Sequence, residues 1–351
     1  MVDLQYQIGL RTGARAGPLD PILERVANPG LFAAICAYAA VLSAGGWALA
    51  HVAPDTLAFR MFGHALAVHH LHARVIDDAL VAALILPAVF LVEYLCVGWE
   101  ACSARDLLVR RSGSIWSDVA CFAVSLTPLM TVAMTLTSFG VVLISSEAAK
   151  TWLAHATGYA PNIAREPLAL QVVLLFVVYS FFDYWSHWLD HTKVFWPLHR
   201  FHHAAESFSV LTAARTHPAV FTALIGLTAP GILVSASPEA LVDLNLFVIA
   251  LRLLIHSRID SDFGWIGRWC LQSPRHHRQH HSRHVEDHGL HLSMFPLWDR
   301  LFGTWGDWAE PHGRIGVETP YRHGAWIGPD MWRDYRDFWS GLIRLRWPAK
   351  T

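Results

Sequence analysis

Charge is scarce in this chain: only 16% of its 351 residues are Asp, Glu, Lys or Arg, against about 25% in an ordinary soluble domain. Lysine is nearly missing, with Lys150, Lys193 and Lys350 the three present. At a net charge of -1 the chain has no global attraction to nucleic acid, and no nucleic-acid partner is expected. The five cysteines, Cys36, Cys96, Cys102, Cys121 and Cys270, never form a CxxC pair, which argues against a thiolate zinc site and a disulfide framework. Neither GxGxxG nor CxxCH occurs, so no dinucleotide or attached-haem signature is present. No secretory signal is expected, because the first 25 residues are polar and charged and the first apolar run is too long and too late.

What remains is grease and histidine. Apolar residues make up 54% of the chain, beside 16 tryptophans and 22 histidines. Residues 26–50 carry no charge, nor do residues 119–146, a run of 28; about 20 apolar residues suffice to cross a bilayer. Residues 79–97, interrupted by Glu93, and the run from Pro167 to Asp183 are two further candidates. Residues 218–256 read as a helical hairpin, broken by Gly226, Pro230 and Gly231 and carrying Asp243, Asn245 and Arg252. The expected fold is therefore all-α: an integral-membrane bundle of four transmembrane helices, a membrane-associated hairpin and a histidine-rich helical cap.

Arginine bias orients this arrangement. Arg11, Arg15 and Arg25 precede the first span, and Arg105, Arg110 and Arg111 separate the second from the third. The opposite side receives Arg60, Arg74, Lys150 and Arg165. The expectation is a multi-pass protein with both termini and the histidines cytoplasmic. Trp99, Trp116, Trp185, Trp188 and Trp196 lie at ends of apolar runs, where indoles prefer the headgroup level. Residues 1–164 form the N-terminal membrane region with three spans, 165–310 the catalytic region, and 311–351 a C-terminal surface segment.

Fourteen of the histidines fall between 187 and 291. FDYWSHWLDH places His187 and His191 four apart, on one helix face. LHRFHH supplies His199, His202 and His203, and PRHHRQHH supplies His277, His280 and His281. Both of the latter read HxxHH, and positions i, i+3 and i+4 form one patch on a helix. A lone HxxxH arises by chance, but this ordered series does not, and an affinity tract would be contiguous and terminal. Eight imidazoles suit two ions of intermediate softness such as iron, zinc, copper or nickel. Asp183 and Asp190 stand where a carboxylate could accept a free ring N–H.

The order HxxxH, HxxHH, HxxHH resembles the membrane-bound fatty acid hydroxylase and sterol desaturase superfamily of di-iron oxygenases. DYWSHWLDH, RTHP at 215–218, HSRIDSDFG from His256, SPRHHRQHHS and WDRLFGTW at 298–305 carry the likeness over roughly residues 165–310. The resemblance implies that His187, His191, His199, His202, His203, His277, His280 and His281 bind metal. It adds His256 as first choice to complete the shell, then His288, although DHG at 287–289 departs from the family's Asn-Tyr-Gly or Asn-Phe-Gly. His217 is a third choice, and His276 points elsewhere. The implied cofactors are two iron ions, with zinc as a substitute. The implied activity is hydroxylation or desaturation of a sterol, carotenoid, fatty acyl or related lipid entering from the bilayer. It would draw on dioxygen and an external reductase, ferredoxin or cytochrome. Competing expectations are a zinc-dependent membrane hydrolase and a metal transporter or sensor. His64, His69, His70 and His72 form a separate group, read as polar loop residues, a peripheral metal site or a segment folded back toward the boxes, and Glu93 is expected to face protein or a cavity.

Overall fold

The computed structural model describes residues 29–306 and 315–346, apart from breaks at 53, 62–63, 69–70, 73–75, 77–78, 80, 111, 138–145 and 220. The fold is all-α save for one small hairpin. Helix α1 (Pro29–Val52) leads to antiparallel strands β1 (Leu57–Met61) and β2 (His64–Val68), in register Leu57↔Val68 through Met61↔His64. His64 thus lies on a strand, while His69 and His70 are outside the described residues. A π-helical turn, Val81–Ile85, runs into α2 (Leu86–Val97). Helices α3 (Gly113–Ser125), α4 (Pro128–Thr137) and α5 (Ser146–Thr157) follow.

The longest central helix, α6 (Leu168–Asp190), starts after Pro167 and ends beside α7 (Trp196–His203). Helix α8 (Ala223–Leu233) packs on α6. Helix α9 (Pro238–Ile255) is started by Ser237, whose hydroxyl accepts from the Ala240 amide at 3.2 Å, with Pro238 in the first turn; this is the favoured chemistry of a helix start. Its inward face, Ala240, Leu244, Val248, Leu251 and Ile255, meets Leu175 of α6 and Met294. Short helices α10 (Gly264–Trp269), α11 (Pro274–His280) and α12 (Pro296–Phe302) build the far wall. The closing helix α13 (Gly328–Arg346) lays Phe338 against Leu198 and Ala219.

The expected bundle of four transmembrane helices plus a hairpin is not what forms. Among the described residues one helix, Leu168–Asp190, is long and apolar enough to cross a membrane by length and composition. The span expected at 26–50 falls partly on residues outside those described. The run 119–146 breaks where Ser125 and Thr127 turn their hydroxyls back on the Phe122 and Val124 carbonyls, ahead of Pro128. Residues 138–145 lie outside the described residues. Residues 79–97 yield only the shorter apolar stretch Val81–Val97. The hairpin divides into an 11-residue helix containing Pro230 and an 18-residue helix carrying Asp243 and Arg252. Charge counting had assumed continuous spans, so the multi-pass localisation with cytoplasmic histidines falls with them.

Buried charge, not only apolar packing, joins the N-terminal half to the rest. Glu93 is fully enclosed. It accepts from the Ser103 amide (2.8 Å), the Ser103 hydroxyl (2.7 Å), the Cys102 thiol (3.1 Å) and the Arg258 amide (2.7 Å). Asp118 of α3 binds the buried Arg215 guanidinium and accepts from Ser209 (2.8 Å) and Thr212 (3.0 Å). Arg215 also donates to the Ser114 carbonyl and hydroxyl. A buried ion pair stripped of one partner leaves an uncompensated charge, at a cost of about 3–5 kcal/mol. Asp118→Ala should therefore lower the unfolding free energy by about that much, read from denaturant titration; a change below about 1 kcal/mol would show that Arg215 finds other compensation.

Candidate metal centre

Four segments deliver the histidines. The last turn of α6 carries His187 and His191, and α7 carries His199, His202 and His203. His256 caps the end of α9. Helix α11 is started by Ser273, which accepts from the His276 amide at 3.3 Å, and it presents His277 and His280, with His281 at its end.

These side chains gather into two groups. His187, His191, His199, His203 and His280 form the first; His202, His256, His277 and His281 form the second. Within each, one candidate ligand atom per residue lies within 4.8 Å of all the others. Both groups are capable of coordinating a metal ion. His203 and His281 stack at 4.3 Å between centroids, so the groups share a wall. The HxxHH motifs do not converge as single patches. Consecutive helical residues point about 100° apart, so His202 and His203 face different groups. The i, i+4 pair His199/His203 serves the first group while His202 serves the second. In α11 the roles reverse, with His277 and His281 in the second group and His280 in the first.

Main-chain carbonyls set the ring tautomers. His187 Nδ1 donates to Leu292 O (2.6 Å), His280 Nδ1 to Leu290 O (2.8 Å), His202 Nδ1 to Arg215 O (3.1 Å) and His256 Nδ1 to Arg252 O (2.7 Å). A carbonyl only accepts, so Nδ1 keeps the proton and Nε2 turns its lone pair inward. In the second group the Nε2 atoms of His277 and His256 are 2.9 Å apart, of His281 and His277 3.2 Å, and of His256 and His202 3.4 Å. Neighbouring nitrogens about 3 Å apart suit an ion held at the roughly 2.1 Å metal–nitrogen distance. In the first group His199 Nε2, His280 Nε2 and both nitrogens of His203 are buried without a hydrogen-bond partner. Buried polar atoms left so need an explanation, and a bound ion would supply it for one nitrogen of each ring.

Leu290 and Leu292 flank His291, which adopts φ 56. The carbonyls of Leu290 and Leu292 both face the first group, at His280 and His187, and the left-handed His291 bends the chain between them. Asp299, buried in the WDRLFGTW stretch, pins this bend by accepting from the Leu292 amide (2.8 Å), the Ser293 amide (3.0 Å) and the Thr304 hydroxyl (2.7 Å). Gln272 donates to the His291 carbonyl.

Of the ten expected metal ligands, His288 is in neither group. Its Nε2 donates to Ser282 O at 2.7 Å and its ring lies on Trp196 at 4.9 Å, beside His203. His217 accepts from the Ala219 amide and donates to Met331 O, also apart from both groups. His276 turns to His291 and Trp305. Asp190 faces His199 (Oδ2–Nδ1 3.7 Å), not the adjacent His191, and accepts from Thr222 at 2.5 Å. Asp183 touches no histidine nitrogen among the described hydrogen bonds; it pairs with Arg252 (2.7 Å) and Tyr179 (3.4 Å). Trp196, expected at a headgroup level, packs among the histidines instead. Asp299 and the carbonyls of Leu290 and Leu292 went unnoticed in the sequence; the only signal was Asp299 within the family-like WDRLFGTW.

Burial, reinforced by neighbouring imidazoles, holds His199, His202, His203, His277, His280 and His281 well below the ordinary 6.5, and burial takes His256 to about 3. The rings are therefore neutral and available as ligands. A cavity of about 250 Å³ opens beside both groups and is lined by His187 and His199 from the first and His202, His256 and His277 from the second.

Two adjacent groups of neutral imidazoles, each capable of coordinating a metal ion, thus form the centre of the fold. Residues 172–304 match the fatty acid hydroxylase family. The chain is 26% identical over 213 residues to the ornithine lipid hydroxylase OlsE of Rhizobium tropici, covering 59% of this chain and 62% of that protein. It is 26% identical over 136 residues to the alkylglycerol monooxygenase of Xenopus tropicalis, covering 37% of this chain and 29% of that one. The chain thus spans less than two thirds of the length of either relative. No solved structure matches significantly.

Two outcomes are expected. Asp299→Ala should weaken metal binding about 10-fold, measured by competition with a chromogenic chelator; unchanged affinity would mean that the bend at His291 holds itself. The unfolded chain, with histidines near 6.5, takes up more protons than the folded one, so stability rises with pH across this window. The metal-free protein should lose stability as pH falls from 6.5 toward about 4, where burial also leaves His217 and His276. Denaturation midpoints that stay flat over this range would show that the imidazoles are not held neutral.

Proposed function

We propose that the chain is a di-iron oxidoreductase that hydroxylates or desaturates a lipid, using dioxygen and electrons from an external donor protein. The observation that carries this reading is the split of nine imidazoles, five of them buried, into two groups that share a wall and one cavity. In it His187, His191, His199, His203 and His280 hold one iron, and His202, His256, His277 and His281 the other. Imidazole suits iron and zinc alike; the family match and the two relatives favour oxidation. Both relatives are named for lipids, an ornithine lipid and an alkylglycerol, which supports a lipid substrate here.

Bound iron would supply dioxygen activation and removal of hydrogen from an unactivated C–H bond, chemistry no side chain performs. The chain's own part is positional. Carbonyls of Leu290, Leu292, Arg215 and Arg252 keep the Nδ1 protons in place, so each Nε2 remains a donor through the reaction. Asp190 beside His199 steadies a further ring. Leu198, Ile255, Leu292 and Met294 give the cavity its apolar part, against which a hydrocarbon segment can rest while water is kept out.

Protein purified without chelator or nickel resin should contain two irons per chain. A host carrying the gene should accumulate a lipid changed in mass by +16 or -2 relative to a host without it. His202→Ala and His280→Ala, one from each group, should each lower bound iron and abolish that product. Undiminished product in either variant would overturn the metal assignment, and zinc at full occupancy with activity in the absence of dioxygen would favour a hydrolase.

A further inference from the structure

The cavity beside the histidines has a polar end that metal binding does not use. Arg252 lies in α9 one turn before His256, within the apolar sequence LFVIALRLLI. Its Nη2 donates to Tyr179 Oη (3.0 Å) and Asp183 Oδ1 (2.7 Å). Among the described residues Nε and Nη1 have no partner, and the side chain is 46% exposed. Arg215 belongs to the same lining, but the side chain that carries its guanidinium has no exposed surface. Arg215 is completely buried, and although Nε and Nη2 are engaged by Asp118 and Ser114, Nη1 has no hydrogen-bond partner. A buried charged donor without an acceptor is costly.

The cavity's two carboxylates are already occupied. Asp183 takes Arg252 and Tyr179, while Asp190 takes Thr222 and faces His199. What is left over at this end of the cavity is therefore the unpartnered N–H groups of Arg252, at Nε and Nη1. We propose that this cavity receives the anionic end of an amphiphilic substrate, a carboxylate or a phosphate, which Arg252 binds while the attached carbons lie against the two histidine groups. Guanidinium forks match both anions in geometry. At about 250 Å³ the space lies below the roughly 300–1,000 Å³ of sites that enclose a whole ligand. It would take a headgroup and a few carbons, with the remaining chain outside. This rests on the reading of the site as lipid-oxidising and narrows its substrate class.

The test compares three twelve-carbon probes, dodecanoate, dodecyl phosphate and dodecanol, on the purified iron-loaded chain in non-ionic detergent, followed by tryptophan fluorescence. At least one anionic probe should bind about 10- to 100-fold tighter than the alcohol, the worth of one charged hydrogen-bonded contact. The stronger anion then tells a carboxylate head from a phosphate head. Arg252→Gln should bring the preferred anion to within about 3-fold of the alcohol with iron content unchanged, and Arg252→Lys should restore part of the preference. Equal binding of alcohol and anions by the unaltered protein overturns the proposal without any variant having to fold. So does a preference that survives Arg252→Gln. If the preference is absent while two irons and the +16 or -2 product remain, only the headgroup assignment fails. If the anion preference is present but iron and product are not, the oxidative reading fails instead.

Discussion

Nine imidazoles packed out of water cannot each find a charge or a proton to satisfy them, and the rest of the chain is arranged around that constraint. Burial keeps the rings neutral, so their attraction for one another is weak and each must be aimed from outside. Backbone carbonyls do the aiming for four of them, and these carbonyls belong to residues whose own side chains are otherwise committed. Arg215 is locked to Asp118, Arg252 to Asp183, and the bend carrying Leu290 and Leu292 to Asp299. Loosening the Arg215 pair or the Asp299 bend thus acts on a nitrogen it never touches.

Much of the centre was legible in the sequence, and the reasons for the rest are specific. The box histidines announced themselves by spacing, because helical periodicity is written directly into i, i+3 and i+4. Their division between two groups was not legible. It depends on how α7 and α11 face each other, so that His202 and His280 each leave their own pair and cross to the other side. His256 was reached only through the family likeness, since nothing local marks the last residue of an apolar helix as special. His288 lies beside the first group instead of in it, with its Nε2 donating to the Ser282 carbonyl. Carbonyl contacts leave no trace in residue type at all. That is why Asp190 and Asp183 attracted attention as orienting groups while Leu290 and Leu292 did not.

The reading of membrane spans shows a different failure. Hydropathy registers composition over a window but is blind to a hydroxyl bending back on its own helix or to a proline at a new helix start. Residues 119–146 contain both at Ser125, Thr127 and Pro128. Glu93 behaved as expected of a carboxylate in an apolar run, in that it faces protein. Its partners, Cys102, Ser103 and the amide of Arg258, were separated from it by up to 165 residues and could not be named from the sequence.

Arg215 carries one last consequence. It lies inside the stretch that matches the family, residues 172–304, yet its carboxylate, Asp118, and its hydroxyl partner, Ser114, lie well upstream of it. The same is true of Arg258, whose amide is held by Glu93 and whose guanidinium reaches Asp106. The homologous stretch is therefore not a transplantable module: excised, it would carry two cations whose counter-charges had stayed behind, one of them next to the carbonyl that aims His202. The borders of recognisable likeness and the borders of what folds as a unit are, in this protein, drawn in different places.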